Sequence, residues 1–325
     1  MERIWLKNYP PGVPHDIDTE QYKSLTDLME RAFREHSDNP FSVCMNRWMS
    51  YKQLDELSTA LGAWLQNKGL EPGSRVAIML PNLPQFAVTM AAILRAGYTC
   101  VNVNPLYTPR ELEHQLKDSG ASAIVILENF AATLQEVVER TAVQHVVLAS
   151  IGDLLGPING RWLTFAVRHL AKMVPPFELP LSNGRTVTSF KKAIAQGRNL
   201  NLRPTAQTMD DIAFLQYTGG TTGLSKGAVL THRNVVAAML QAEGWFSPAL
   251  ADVPDLRKVN NVAALPLYHI FALTLCLLAI RQGSYLTLVP NPRDFAKFIE
   301  VLKQQVLDRR WSRFVGPTPP PTHPE

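Results

Sequence analysis

The sequence predicts an α/β fold made of two doubly wound, largely parallel β-α lobes. Three observations carry that expectation. From Ser50 onward, stretches of helical period alternate with short β-branched runs. Those runs are apolar along most of their length, as strands covered on both faces are. Capping residues stand at most of the boundaries between the two patterns. Alternation of this kind implies right-handed crossovers and mainly parallel strands.

Ser50 and Gln53 form a capping box, Leu54, Leu57, Leu61 and Leu65 share one helical face, and Gly69 stands where the helix turns out. RVAIML (75–80) reads as a buried strand, 85–95 as a helix ended by Gly97, and 98–103 as the next strand. Thr108, Pro109 and Glu111 stand as N-cap, N1 proline and N3 carboxylate of a helix that runs to Gly120. ASAIVIL is a strand, 131–140 a helix, and HVVLA (145–149) a strand. Prolines 157, 175, 176, 180 and 204 then break the rhythm, so 151–207 reads as an insertion and inter-lobe connection. From Ile212 the pattern resumes: IAFLQ, a polar loop, AVL (228–230), a helix capped by Thr231, VAALP, a helix near 271–280, YLTLV, and a helix near 295–305. The expected organisation is a first lobe over 1–207, a second over 208–316 that carries the polar loop, and a disordered tail over 317–325.

At roughly 150 residues per domain, 325 residues allow about two domains. With 46% hydrophobic residues, 18% charged residues and a net charge of +4, the chain is too apolar and too evenly charged to be a disordered tail. No basic stripe stands out, so no nucleic acid is expected as a partner. Cys44, Cys100 and Cys276 are far apart, lack metal spacing and lie in apolar stretches, so they read as reduced core thiols. MERIWLKNYPPG has no apolar h-region, so no cleaved secretion signal is expected, and the chain reads as cytoplasmic. Residues 161–174 mix Trp162, Leu163, Phe165, Leu170 and Met173 with Arg161, Arg168 and Lys172, a composition suited to peripheral contact with the inner membrane. An amphipathic helix packed on its own protein is the competing reading. Between Asn261 and Arg281 there is no Asp, Glu, Lys or Arg, but Pro266, His269 and the unbroken β-α rhythm favour a strand and buried helix over a membrane span. The sequence leaves homo-oligomerisation open.

Residues 217–228, YTGGTTGLSKGA, combine four glycines, hydroxyl side chains and one lysine directly after a strand. Glycines let backbone N–H groups approach an anion, hydroxyls add donors and a lysine adds a mobile positive charge, so the stretch reads as a cradle for a polyphosphate. The Walker pattern fails because Lys226 follows Ser225 and precedes Gly227. Gly223, Ser225 and Gly227 satisfy G-x-S-x-G, yet a hydrolase elbow needs strand, sharp turn and helix, whereas here another strand follows. His232 and His269 are the histidines such a serine would need as a base, and His232, Arg233 and Asn234 read instead as the start of a helix.

The loop resembles the phosphate-binding signature of the adenylate-forming (AMP-binding) superfamily, which includes acyl-CoA synthetases, adenylation domains and luciferases. RAGYTCVNVNPLYTPRELEHQL (95–116) resembles that family's early motif and LPLYHIFALT (265–274) its later one. Within the family the chain is most similar to the bacterial long-chain fatty-acid CoA ligases, through about Gly316. The resemblance implies the fold of an acyl-CoA synthetase N-terminal domain. It also implies ATP-dependent activation of a fatty acid to acyl-adenylate, then transfer to coenzyme A, with ATP, Mg²⁺ and coenzyme A required. It assigns phosphate contacts to Thr218, Thr221, Thr222 and Lys226, and loop closure to Gly219, Gly220 and Gly223. Tyr217, Leu224, Ser225, Gly227 and Ala228 complete the signature. Lys226, Thr221 and His269 are the expected catalytic residues. Tyr268 and His269 match the later motif, where the family places a residue beside the reacting carboxylate; alone, His269 would read as a hydrogen-bonded core histidine.

After RFVGP (313–317) the family continues with further motifs and a small C-terminal domain, whereas this sequence ends TPPPTHPE, which cannot form a helix. A truncation or frameshift after about Pro317 is expected, with a natural short protein as the alternative. The competing function is a catalytically inactive fragment that serves only as a nucleotide- or membrane-binding module.

Overall fold

A computed structural model of the chain describes residues 3–218 and 225–307. Its main sheet grows from the predicted β-α units. β3 (Arg75–Met79), β4 (Thr99–Asn102), β5 (Ala123–Leu127) and β6 (His145–Ala149) are parallel and almost wholly buried, which accounts for their unbroken apolar character. β7 (Thr186–Ser189) extends one edge, and β8 (Ile212–Thr218) followed by antiparallel β9 (Lys226–Thr231) extends the other, giving the order β7-β6-β5-β3-β4-β8-β9.

The helices cover both faces of this sheet. α1 (Leu25–Glu35), α2 (Tyr51–Gln66), α3 (Pro84–Arg95) and α7 (Phe190–Gly197) contribute to one apolar core. α4 (Pro109–Ser119) and α5 (Ala131–Gln135) contribute to the other. Local chemistry fixes the helix starts: complete capping boxes form at Ser50/Gln53 and Thr108/Glu111, and Gly120 closes α4 with φ of 62°. Cys44, Cys100 and Cys276 are buried free thiols, and burial pushes Cys44 and Cys276 up to about 12.

A second sheet has the order β10-β11-β1-β2 and joins distant parts of the chain. β1 (Pro40–Cys44) pairs antiparallel with β2 (Arg47–Ser50) and parallel with β11 (Tyr285–Leu288), which pairs parallel with β10 (Asn260–Ala263). α8 (His232–Leu250), whose capping box is Thr231/Asn234, and α9 (Ile270–Gln282) pack together, and α10 (Phe295–Leu302) follows β11.

The division expected at 207/208 is therefore not the division of the sheets. β8 and β9 belong with strands from the first half, and β1 and β2 belong with strands from the second. The cause is non-local pairing, which periodicity along the chain does not encode. Residues 151–207 also hold more structure than an insertion: β7 pairs with β6, and α7 packs on α2. Only 131–135 of the helix expected over 131–140 is α-helical, followed by a 3₁₀ turn at Val138–Arg140. The expected tail, 317–325, lies outside the described residues. No helix among the described residues is long and apolar enough to cross a membrane.

Candidate functional site

β3 passes to α3 on one face of the main sheet and its neighbour β4 passes to α4 on the other, so the chain diverges at their carboxyl ends. Open α/β sheets hold their ligands in such a crevice. Three loops meet there: the turn after β3, the loop after β4 and the segment between β10 and α9. Asn82, in the first, donates from Nδ2 to the carbonyls of Ala263 and Leu265, both at 2.9 Å, and accepts from the Leu267 N–H at 2.8 Å. A single buried amide thus holds the segment that leads into Tyr268 and His269.

A second set of amides ties the same segment to the hairpin. Gln115 Nε2 donates to the Asn102 carbonyl at 2.8 Å, Asn102 Nδ2 to Gln216 Oε1 at 3.0 Å, and Gln216 Nε2 to the Tyr268 carbonyl at 2.9 Å. All three side chains are buried; Asn102 Oδ1 and Gln115 Oε1 have no partner among the described residues, but the three bonds link α4, β4, β8 and the β10–α9 segment.

The hairpin itself is built around Tyr217. Its hydroxyl donates to Asp118 Oδ2 at 2.5 Å, and burial together with that carboxylate holds the phenol above its ordinary range. Gly227 is its cross-strand partner, and a Cβ there would lie 2.8 Å from the ring. Thr218 and Lys226 are the next pair, directly opposite each other and both exposed. Half-buried Ser225 accepts from His114 Nε2 at its carbonyl at 2.9 Å and hydrogen-bonds the Tyr107 hydroxyl. Burial pushes the Tyr107 phenol up. It does the same for Tyr268, which lies within electrostatic reach of Tyr107 and Arg293. Ala228 continues β9 and is exposed.

Gly219, Gly220, Thr221, Thr222, Gly223 and Leu224 lie outside the described residues. His269 is the N-cap of α9; its ring is exposed and sits 4.7 Å from that of Tyr268. It is not the buried core histidine its position alone would suggest. His232 is buried, and its Nδ1 accepts the Leu25 N–H at 3.1 Å, so it braces α1 rather than serving a serine. Among the described residues, Ser225 is followed directly by antiparallel β9 and the next helix begins at His232, so Ser225 is not followed by the helix of a nucleophile elbow. Sequence reading missed Asn82, Asn102, Gln115 and Gln216. The signal available was, for Asn102 and Gln216, a polar amide inside an otherwise apolar strand, for Asn82, one in the turn after β3, and for Gln115, one beside Leu112 and Leu116 on the buried face of α4.

The sequence profile of the AMP-binding enzyme family matches residues 29–307. The chain belongs to the AMP-binding enzyme family. Among relatives of this AMP-binding chain, a long-chain-fatty-acid–CoA ligase of Escherichia coli O157:H7 is 47% identical over 304 residues, 93% of this chain and 53% of the relative. One of Haemophilus influenzae is 44% identical over 306 residues, again 53% of the relative. The chain spans about half the length of the curated relatives it matches. In fold, the AMP-binding chain is similar to the crystal structure of a long-chain-fatty-acid-CoA ligase from Archaeoglobus fulgidus, with a TM-score of 0.69 and 22% identity over 93% of this chain and 52% of that one.

Proposed function

We propose that this chain carries the triphosphate-binding hairpin and the carboxylate-facing segment of an AMP-forming long-chain fatty-acid CoA ligase. The observation that carries the reading is the Thr218–Lys226 pair: a hydroxyl and an ammonium group set opposite each other at the mouth of a glycine-rich hairpin. Likeness to the ligases of E. coli and H. influenzae supports the substrate class.

In this reading a fatty carboxylate attacks the α-phosphorus of ATP, forming acyl-adenylate and releasing pyrophosphate, and the acyl group then passes to the thiol of coenzyme A. Negative charge accumulates on the phosphoryl oxygens as the bond to pyrophosphate breaks. Lys226, Thr218, Thr221, Thr222 and the N–H groups of Gly219, Gly220 and Gly223 are the donors that stabilise it in this reading, each worth about 3 kcal/mol in a transition state of this kind. His269 and Tyr268 face the carboxylate. Mg²⁺ bound with ATP would supply charge neutralisation to the phosphates beside the Thr218 hydroxyl and the Lys226 ammonium group. The reading sets the protein in the cytoplasm at the inner face of the membrane, where its lipid-derived substrate arises.

The alternative is a chain that binds nucleotide without activating acids. Oleate-dependent exchange between ATP and labelled pyrophosphate separates the two. Exchange above the acid-free background supports the ligase reading for this chain, and MgATP binding without exchange supports the alternative.

A further inference from the structure

Between β6 and β7 the chain turns an apolar face to solvent. α6 (Asn159–Phe165) continues directly into a π-helical turn at Ala166–Leu170. Ile158, Trp162, Phe165, Leu170 and Met173 are all exposed on this segment, Trp162 at 64% and Leu170 at 65%. The Trp162 and Phe165 rings stack with centroids 5.8 Å apart, so they present one surface.

The inner side of the segment fixes that orientation. Gly160 meets Gly152 backbone to backbone, so closely that a Cβ on Gly160 would lie 2.1 Å from the Gly152 carbonyl oxygen. Val167 is buried, Arg168 forks onto the buried carboxylate of Glu128, and Asn129 Nδ2 donates to the Met173 carbonyl at 2.9 Å. Glu128 and Asn129 follow β5 and Gly152 follows β6. The segment is therefore anchored at the carboxyl edge of the parallel sheet, the same edge that carries the candidate site.

Charge narrows what this face can meet. Residues 154–177 contain no Asp or Glu. Arg161 and Lys172 are exposed and have no ion-pair partner among the described residues. Lys172 closes the helix with φ of +50°, in the left-handed region where glycine is favoured, so a cation is kept at the end of the apolar face at some backbone cost. Aromatic and aliphatic side chains flanked by unpaired cations, without acids, complement an anionic bilayer.

We propose that the outer face of residues 158–173 docks on an anionic lipid bilayer, with Trp162, Phe165, Leu170 and Met173 entering the headgroup boundary and Arg161 and Lys172 meeting lipid phosphates. This deepens the inner-membrane location proposed above and rests on that reading. Vesicle binding tests the face, whereas oleate-dependent exchange tests the ligase chemistry, so the two fail separately.

The test is co-sedimentation of the chain with phosphatidylcholine vesicles containing phosphatidylglycerol, against phosphatidylcholine alone. The expected result is binding to the anionic vesicles that weakens with salt. Lys172→Gly, which relieves the left-handed backbone and so keeps the helix, weakens binding roughly fivefold. Trp162→Ser with Phe165→Ser weakens it by about tenfold or more while far-ultraviolet circular dichroism and Tm stay unchanged, since both rings are exposed. Equal binding to both vesicle types, binding untouched by these variants, or a dimer that the same substitutions dissociate without any vesicle binding would overturn the proposal.

Discussion

Tyr217 and Gly227 face each other across the β8–β9 hairpin with no room for a methyl group between them; a Cβ on Gly227 would stand 2.8 Å from the Tyr217 ring. Because the ring is also bound through its hydroxyl to Asp118, it has little freedom to withdraw. Gly227→Ala is expected to destabilise the chain by about 1–3 kcal/mol through overpacking, and to weaken MgATP binding by moving Lys226 out of line with Thr218. Tyr217→Phe removes the hydroxyl that meets Asp118 and Ser119 and leaves the ring in place, at a cost of about 1 kcal/mol. Urea unfolding of both variants checks the order; a harmless Gly227→Ala would mean that the hairpin is not held at this point.

Asn82 makes three hydrogen bonds from a buried position, all to the segment 263–267. Asn82→Ala strands the Leu267 N–H and two carbonyls, and is expected to cost roughly 3 kcal/mol, since each buried group left without a partner costs on the order of 1–3 kcal/mol. Asn82→Asp keeps the acceptor for Leu267 but has no N–H to give, so it should recover only part of the loss. Urea unfolding that leaves Asn82→Ala within about 0.5 kcal/mol of the parent, the range of ordinary surface changes, would show that the amide does not hold the segment.

Burial lowers His232 from its ordinary 6.5 to about 4. The folded state therefore holds this histidine neutral, and its contribution is complete above the unfolded value. As pH falls from about 6.5 toward about 4 the unfolded chain takes up a proton that the folded chain refuses, so stability is lost across that window, on the order of 3 kcal/mol in all. His232→Asn retains an acceptor for the Leu25 N–H and removes the titration. Its unfolding free energy should fall less steeply between pH 6.5 and 4 than that of the parent; parallel curves would show that another group sets the slope.

The parts legible in the sequence were those written locally. Ser50, Thr108 and Thr231 each open a helix with the capping box that their neighbours spell, and Gly120 closes one in the left-handed region. The β8–β9 hairpin was legible because loop and strands carry contrasting chemistry. β1 and β2 were not, because they are short and joined by Met45 and Asn46, both at positive φ without a glycine, and because β1 finds its parallel partner at Leu286, far along the chain. β7 and α7 were hidden by the prolines around them. The site's amide framework was invisible for a different reason. Asn82 and Gln216 work through backbone carbonyls at Ala263, Leu265 and Tyr268, and a carbonyl has no identity in a sequence.

The central claim is that the mouth of the hairpin grips the triphosphate of ATP. Following the backbone amide resonances of Thr218, Ser225, Lys226 and Gly227 while MgATP is titrated into the chain tests it at the residues concerned. The account predicts saturable shifts at these amides, with an affinity that falls about tenfold or more in Lys226→Ala, as loss of a charge-assisted contact implies. Saturation that perturbs other parts of the chain and leaves these four amides unmoved, or an affinity indifferent to Lys226, would contradict it.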